Sequence, residues 1–304
     1  EDDHSLLDVR GGSLEGILNS RQQHVLTHMA SLNQLTGALI QDVNRLHAEG
    51  QGLVGLTDVT GEYAVLEPAL ALNASGAGLG LVPQNGSFLI TVTDDAGRST
   101  VTQITVDLDG VGPDTTLNDL AVVLDAMDHI SASVTADGRL SITSDPGASF
   151  TFSQDSSHVL AALGINTFFS GSDASDISIN PLLANSPELL AVATENLEGD
   201  GSNAGRIAAL ANEISATLGG SQSLMDFYNG IVGAVAVSGQ AALNAVSAAG
   251  IISGALEAQH ESVSGVNLDE EAVQLMKFEK AYQGAARYVS VVDELINELI
   301  GLIR

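Results

Sequence analysis

Asn267-Leu268-Asp269-Glu270-Glu271-Ala272-Val273-Gln274-Leu275 opens a stretch in which Leu268, Leu275, Tyr282, Val289, Ile296 and Ile303 recur every seven residues. Phe278, Ala285, Val292 and Leu299 are interleaved at offsets of three and four. Side chains repeating at a mean period of 3.5 fall on one stripe of an α-helix, the seam of a heptad repeat. Asn267 is placed to cap that helix with Glu270 at the reciprocal position, and Asp269, Glu270 and Glu271 put negative charge at the positive end of the helix dipole. A lone helix cannot bury its own seam, so this one is expected to pack on the chain's other helices or on a neighbouring copy. Leu268, Leu275, Phe278, Tyr282, Val289, Val292, Ile296 and Leu299 are the candidate assembly interface. Met276 and Val291 widen the apolar face beyond a two-stranded coil and predict more than one neighbour. Lys277, Lys280 and Arg287 read as a solvated flank, with the capacity to make contacts between subunits in so acidic a chain.

Working outward, helical spacing returns twice. Leu18, Val25, Leu32, Leu39 and Leu46 predict a helix over Ser13–Glu49 that ends at Gly50 and Gly52. Asn203–Leu218 and a long segment from Leu224 to about Ser262 predict two more, the second with a stripe of small residues that admits a close neighbour. Between them, Leu53 to about Pro187 is rich in Thr, Val, Ser, Asp and Gly, a β pattern. Ser87–Thr93 and Ser99–Leu108 flank Asp94-Asp95-Ala96-Gly97 as one hairpin, and Ser133–Thr135 and Leu140–Thr143 flank Ala136-Asp137-Gly138-Arg139 as another. A helix over Leu117–Ile130, capped by Thr116 and Asp119, lies between the hairpins and completes a β-α-β module. Ala69–Gly86 supports neither period and reads as loop. The expected class is α+β: an elongated helical bundle or coiled-coil rod formed by both chain ends, with an inserted β-rich domain. The expected segments are 1–52 (N-terminal helical), 53–187 (β-rich), 188–263 (helical, packing with the first) and 264–304 (heptad helix).

The 304 residues carry 38 acidic and 10 basic side chains, a net charge of −28. Nucleic acid and anionic membrane surfaces are repelled by such a chain. There is no cysteine, which removes disulfides, thiolate metal sites and cysteine nucleophiles. Ile231–Leu256 is apolar but interrupted by Gln240 and Asn244, and reads as a helix of a soluble protein, without membrane insertion. The start, Glu1-Asp2-Asp3-His4, has neither an initiator Met nor a signal pattern, so a fragment or processed chain is expected.

Candidate chemistry is sparse. His24 and His28 are one helical turn apart, a spacing that can chelate a metal, but no third ligand accompanies them and a polar helix face is the better account. Asp94-Asp95 and Asp107-Leu108-Asp109-Gly110 invite calcium without the spaced ligands of an EF-hand loop, and read as turns. Gly76-Ala77-Gly78-Leu79-Gly80 lacks the Lys-Ser or Lys-Thr of a phosphate loop. No nucleophile elbow occurs, and no carboxylate pair stands out as an acid/base couple. Phe150, Phe152, Phe168 and Phe169 read as core filling. No catalytic, metal or cofactor-binding residue is assigned, and no enzyme activity is expected.

Three blocks, Gly11-Gly12-Ser13-Leu14-Glu15-Gly16-Ile17-Leu18-Asn19-Ser20-Arg21, Leu163-Gly164-Ile165-Asn166-Thr167-Phe168-Phe169-Ser170-Gly171 and Ser264-Gly265-Val266-Asn267-Leu268-Asp269-Glu270-Glu271-Ala272 with Ala281-Tyr282-Gln283, resemble the bacterial flagellar hook-associated proteins of the hook–filament junction. The last block is shared more loosely with hook and rod proteins, and the middle block favours the junction proteins. The stretch Thr115–Thr143 is also similar to small β-α-β units of flagellins and hook-associated proteins. Family members carry a long N-terminal helical segment ahead of the first block, so an N-terminally truncated chain is expected. The resemblance implies a structural adapter joining hook to filament, with terminal helices paired in an inner tube and β domains projecting outward. It also implies type III export to the extracellular flagellum, and copies of itself, hook protein and a neighbouring hook-associated protein as partners. A cytosolic export chaperone would guard the C-terminal helix. The alternatives are another axial protein, such as the hook protein, or an extracellular adhesin or enzyme carried on flagellar-like helices.

Overall fold

Helix α1 (Gly12–Asn19), a π-helical turn (Ser20–Val25) and α2 (Leu26–Ala48) succeed one another without a break. The structure, a computed structural model, describes residues 12–194, 199–265 and 267–302; Gly11, Val266, Ile303 and the N-terminal Glu1–His4 lie outside them. The chain divides into two units, one ending at Ala236 and the other beginning at Val237. The fold is α+β, as the sequence predicts.

In the first unit the β region holds the strands β1 (Asp58–Thr60), β2 (Gly86–Thr93), β3 (Ser99–Val106), β4 (Ile130–Val134), β5 (Leu140–Ser144) and β6 (Ser149–Ser153), with α3 (Leu117–Asp125) between β3 and β4. They form two antiparallel sheets, ordered β3-β2-β6 and β1-β5-β4. In the first hairpin Thr93 faces Ser99, and the Asp94 carboxylate closes the turn by accepting from the amides of Ala96 and Arg98. In the second Val134 faces Leu140, and Gly138 sits at φ 82°, where a Cβ would collide with the Val65 carbonyl. Only glycine suits both demands.

Alternation on β2 turns Phe88, Ile90 and Val92 inward. They meet Leu117, Leu120 and Leu124, the inner face of α3, together with Ile142, Phe150 and Phe152. Phe152 is edge-on to Phe88 at 6.0 Å and to Phe150 at 5.6 Å, the favoured aromatic geometry. Helix α3 opens on the Thr116/Asp119 capping box that the sequence predicts, but it ends at Asp125 rather than Ile130. Ile130 is claimed by β4, and the Asp125 carboxylate accepts from the Ala132 amide. Residues 69–86 are mainly loop, with one 3-10 turn at Ser75–Ala77 that buries Ala77.

After β6 come α4 (Val159–Leu163), the short pair β7 (Phe169–Ser170) and β8 (Ser178–Ile179), α5 (Pro181–Asn185) and α6 (Ser202–Ala209). The helix expected over Asn203–Leu218 therefore stops after eight residues. The turn-rich link from α6 to the next helix is held by an Ile214–Ser223 bridge and by side-chain bonds to α2. Helix α7 (Leu224–Ser264) begins in this unit, where Leu224 and Phe227 join a second core with Ala38, Val43, Leu46, Leu210 and Leu218.

The second unit holds the rest of α7 and α8 (Leu268–Gly301). An 18-residue window of mean hydropathy 1.5 lies within Leu224–Gly301, so by length and composition alone it meets the measure of a membrane span. The reason is composition: Phe227–Leu256 contains no charged residue, and Gln240 and Asn244 lower the mean only slightly. Its glycine and alanine content suits equally a helix approached closely by others.

Candidate assembly surface and its polar junction

Helix α2 changes character along its length. Ile17, Leu18, Val25, Leu26, Met29 and Leu32 on the first half of the helical segment are exposed, whereas Ala38–Ala48 is buried on nearly every side. Buried helix ends leave carbonyls without partners; two asparagines, Asn166 and Asn203, meet that demand here, and a third, Asn44, ties α2 to the segment that follows α4. Asn166, held at φ 52°, directs its side-chain amide at the carbonyls of His47, Ala48 and Gly50, at 3.1 to 3.3 Å. Asn203 donates to the carbonyls of Leu46 and Ala191. Asn44 accepts from the amides of Phe168 and Phe169 and donates to the Phe169 carbonyl.

His47 completes the junction. The Ala191 amide donates to its Nε2 at 3.0 Å, so the proton sits on Nδ1 and is donated to the Asn166 carbonyl at 2.7 Å. Burial holds its pKa below 6.5, against a smaller upward effect of the Asn166 bond. Asp42 accepts from the hydroxyls of Ser215 at 2.6 Å and Thr217 at 2.8 Å and pairs with Arg45 at 3.6 Å. Glu49 meets Arg206 at 3.3 Å; burial raises its carboxyl and the Arg206 charge partly offsets that. One face of Leu163–Gly171 is thus fastened to α2, and the other reaches the β region, where Tyr63 donates to the Gly171 carbonyl and Glu62 accepts from the Ser170 hydroxyl. The middle block of the sequence is the strap between helix and sheets. Periodicity alone does not single out Asp42, Asn44, His47 and Asn203. For the three on α2 the signal is a run of polar residues inside an apolar helical period, just before Gly50 and Gly52.

Beside the strap lies an open apolar groove of about 730 Å³, lined by Leu35, Leu39, Phe168, Phe169, Ile207 and Tyr228 among others. The four phenylalanines therefore divide. Phe150 and Phe152 fill the core as expected, while Phe168 and Phe169 are half-buried and line this groove.

In the second unit Asn267 caps α8 by accepting from the Asp269 amide. The seam expected to pack on the chain's own helices or on a neighbouring copy lies exposed in the single chain. Leu268, Leu275, Phe278, Tyr282, Val289, Ile296 and Leu299 are exposed, Tyr282 by 76%, and Val292 is half-exposed. On α7, Val237, Ile252 and Leu256 are exposed as well.

Elsewhere the structure places His24 in the π-helical turn, exposed, and His28 at the start of α2. Asp107 and Asp109 come together with Asp114, their ligand atoms within 4.8 Å of one another. The same carboxylates are occupied in shaping the loop: Asp114 accepts from the Gly110 amide and Asp109 from Val111.

Residues 253–302 match the family described as flagellar basal body rod FlgEFG protein C-terminal. The chain is 27% identical to flagellar hook-associated protein 1 of Escherichia coli over 295 residues, 96% of this chain and 49% of that protein. It is 23% identical to the protein of that name from Salmonella typhimurium, over 96% of this chain and 50% of the relative. Against the Bacillus subtilis protein it is 30% identical over 101 residues, 33% of this chain and 20% of the relative. The chain thus spans about half the length of the first of these curated relatives, and with similarity over nearly all its own length and a rod-type C-terminal domain, it is a relative of flagellar hook-associated protein 1.

Proposed function

We propose that the chain is a structural, non-enzymatic component of the bacterial flagellum that joins hook to filament by side-by-side helix packing. A flagellar structural role is supported by the names of the relatives and by the rod-type domain. The adapter role rests on the middle block and on one observation above all: α8, within the matched domain, carries an apolar seam that this chain leaves exposed. Exposed apolar stripes of this length mark surfaces destined for other proteins. In this reading Leu268, Leu275, Phe278, Tyr282, Val289, Val292, Ile296 and Leu299 face neighbouring helices. Residues 53–187 act as a projecting module and residues 264–304 as the assembly segment. The partners are copies of the chain, hook protein and an adjacent hook-associated protein. An export chaperone would cover α8 before secretion, since the seam is apolar and unpaired until assembly. No membrane insertion is involved.

Deleting the gene tests the reading. Hooks that form but acquire no filament are the expected phenotype, with recovery on complementation. Normal filaments would overturn it, and loss of the hooks themselves would favour the hook-protein alternative.

A further inference from the structure

The two sheets of the β region have four outer edges, and three of them are short or occupied. Strand β1 is only three residues long, the outward amide of Ala132 on β4 is taken by the Asp125 carboxylate, and Phe150 on β6 exchanges both backbone bonds with Leu56 at 2.8 Å. The fourth edge is β3, eight residues from Ser99 to Val106 without proline, glycine or charge. Its outward groups follow from the register. The Asp94 amide donates to the Arg98 carbonyl across the turn, so bonded pairs recur at Val92 with Thr100, Ile90 with Thr102 and Phe88 with Ile104. Val101, Gln103 and Thr105 therefore turn their amides and carbonyls away from β2. All three are exposed, and among the described residues none of these backbone groups has a partner. An open edge of this length, uncharged and without a bulge, is a template for another strand.

The inner face beside this edge is open as well. Helix α3 ends at Asp125, and beyond it lies a cleft of about 520 Å³ lined by Val92, Thr100, Thr102, Met127, Asp128 and His129 among others. Side chains on one face of a strand laid against β3 would enter it next to Thr100 and Thr102. The charges there are unequal. Arg98 is held by Asp94 at 2.7 Å and His129 by Asp145 at 3.1 Å, whereas the exposed carboxylates of Asp95 and Asp128 have no partner among the described residues. A second copy is a poor occupant. Antiparallel pairing of two β3 strands about Gln103 sets the Asp94-Asp95 turn of each beside the Asp107, Asp109 and Asp114 carboxylates of the other, in a chain of net charge −28. We propose that β3 takes up an extended segment of a different protein as an added antiparallel strand, with lysine or arginine side chains entering the cleft toward Asp128 and uncharged, β-branched ones beside Val101 on the outer face. The contact involves the β region alone, so it does not depend on how α8 assembles.

Capped octapeptides of alternating lysine and valine, and of alternating glutamate and valine, are the probes, added to the full chain. The lysine peptide is expected to slow hydrogen exchange at Val101, Gln103 and Thr105 by about tenfold or more, while Thr100, Thr102 and Ile104, already bonded to β2, stay as they are. The glutamate peptide, and a lysine peptide methylated at its backbone amides, should leave all six unchanged. Asp128→Lys should weaken binding of the lysine peptide by about tenfold at low ionic strength, and high salt should narrow the difference. Gln103→Pro removes an outward amide without touching the β2 ladder and should abolish binding. If that variant fails to fold, the methylated peptide decides the same point. Unchanged exchange at the three amides with about 1 mM lysine peptide, or equal protection by the glutamate or the methylated peptide, overturns the proposal. So does protection that grows with protein concentration in the absence of peptide, since a second copy would then hold the edge.

Discussion

His47 and Asn166 bind each other in both directions: the imidazole donates to the Asn166 carbonyl at 2.7 Å, and the Asn166 amide reaches the His47 carbonyl at 3.3 Å. One residue ends a helix and the other lies in a strap 119 positions away. Their pairing fixes where the helical segment meets the β region, so any force on the helix is passed to the strap through fully buried polar contacts.

Asn166→Ala is expected to cost about 2 to 4 kcal/mol, because it strips the end of α2 of a donor shared by three carbonyls while keeping the left-handed backbone strain. Asn166→Gly loses the same bonds but relieves the strain, and should be more stable than the alanine variant by about 1 kcal/mol. Urea unfolding of the two variants checks this. Equal midpoints would mean that the positive φ carries no cost.

Stability should depend on pH through the same junction. Burial depresses His47 below 6.5, and burial followed by the Arg45 charge does so for His158. A histidine with a depressed folded pKa binds fewer protons folded than unfolded, so its contribution is complete above 6.5 and is lost as pH falls toward the folded value. Glu49 has the opposite sign: its carboxyl is raised above 4.5 by burial, so stability falls as pH climbs from 4.5. His47→Gln is expected to flatten the acid-side loss of the urea midpoint between about pH 7 and about pH 5. An unchanged slope would remove His47 from the account.

Periodicity and short-range chemistry account for the features legible in the sequence. The turn at Asp94–Gly97, the Thr116 cap and the Asn267 cap are local, each decided by a few neighbouring residues, and all three stand in the structure. The helical period overruns the ends of α3 and α6 because the residues beyond them are taken elsewhere, Ile130 by the pairing of β4 with β5 and Ser215 and Thr217 by Asp42 of α2. The polar junction escapes the same reading for a related reason. Asp42, Asn44 and His47 interrupt an apolar stripe, and only the fold brings Ser215, Phe168 and Asn166 to them.

Asp42 should therefore behave as a tether. Asp42→Ala leaves the Ser215 and Thr217 hydroxyls and Arg45 without their partner, at an expected cost of about 2 to 4 kcal/mol. Asp42→Asn keeps an acceptor, and the hydroxyls can turn to accept from its amide, so about 1 kcal/mol is expected. Because Ser215 Oγ also accepts from the Leu218 amide, hydrogen exchange at Leu218 should quicken in the alanine variant. Protection at wild-type level would place the tether elsewhere.

The seam makes a prediction in which folding and assembly part company. Tyr282 is 76% exposed and Val289 59% exposed, so Tyr282→Asp or Val289→Asp should change the stability of the single chain by less than about 0.5 kcal/mol. In an assembled tube the same aspartate would be buried without a partner, which costs far more than any one contact returns. Unfolding midpoints like wild type, together with loss of incorporation and motility, are the expected pair of results. A variant that unfolds early would show that the seam is already in use within the chain. One that folds and still builds filaments would show that the seam is not the surface by which copies meet.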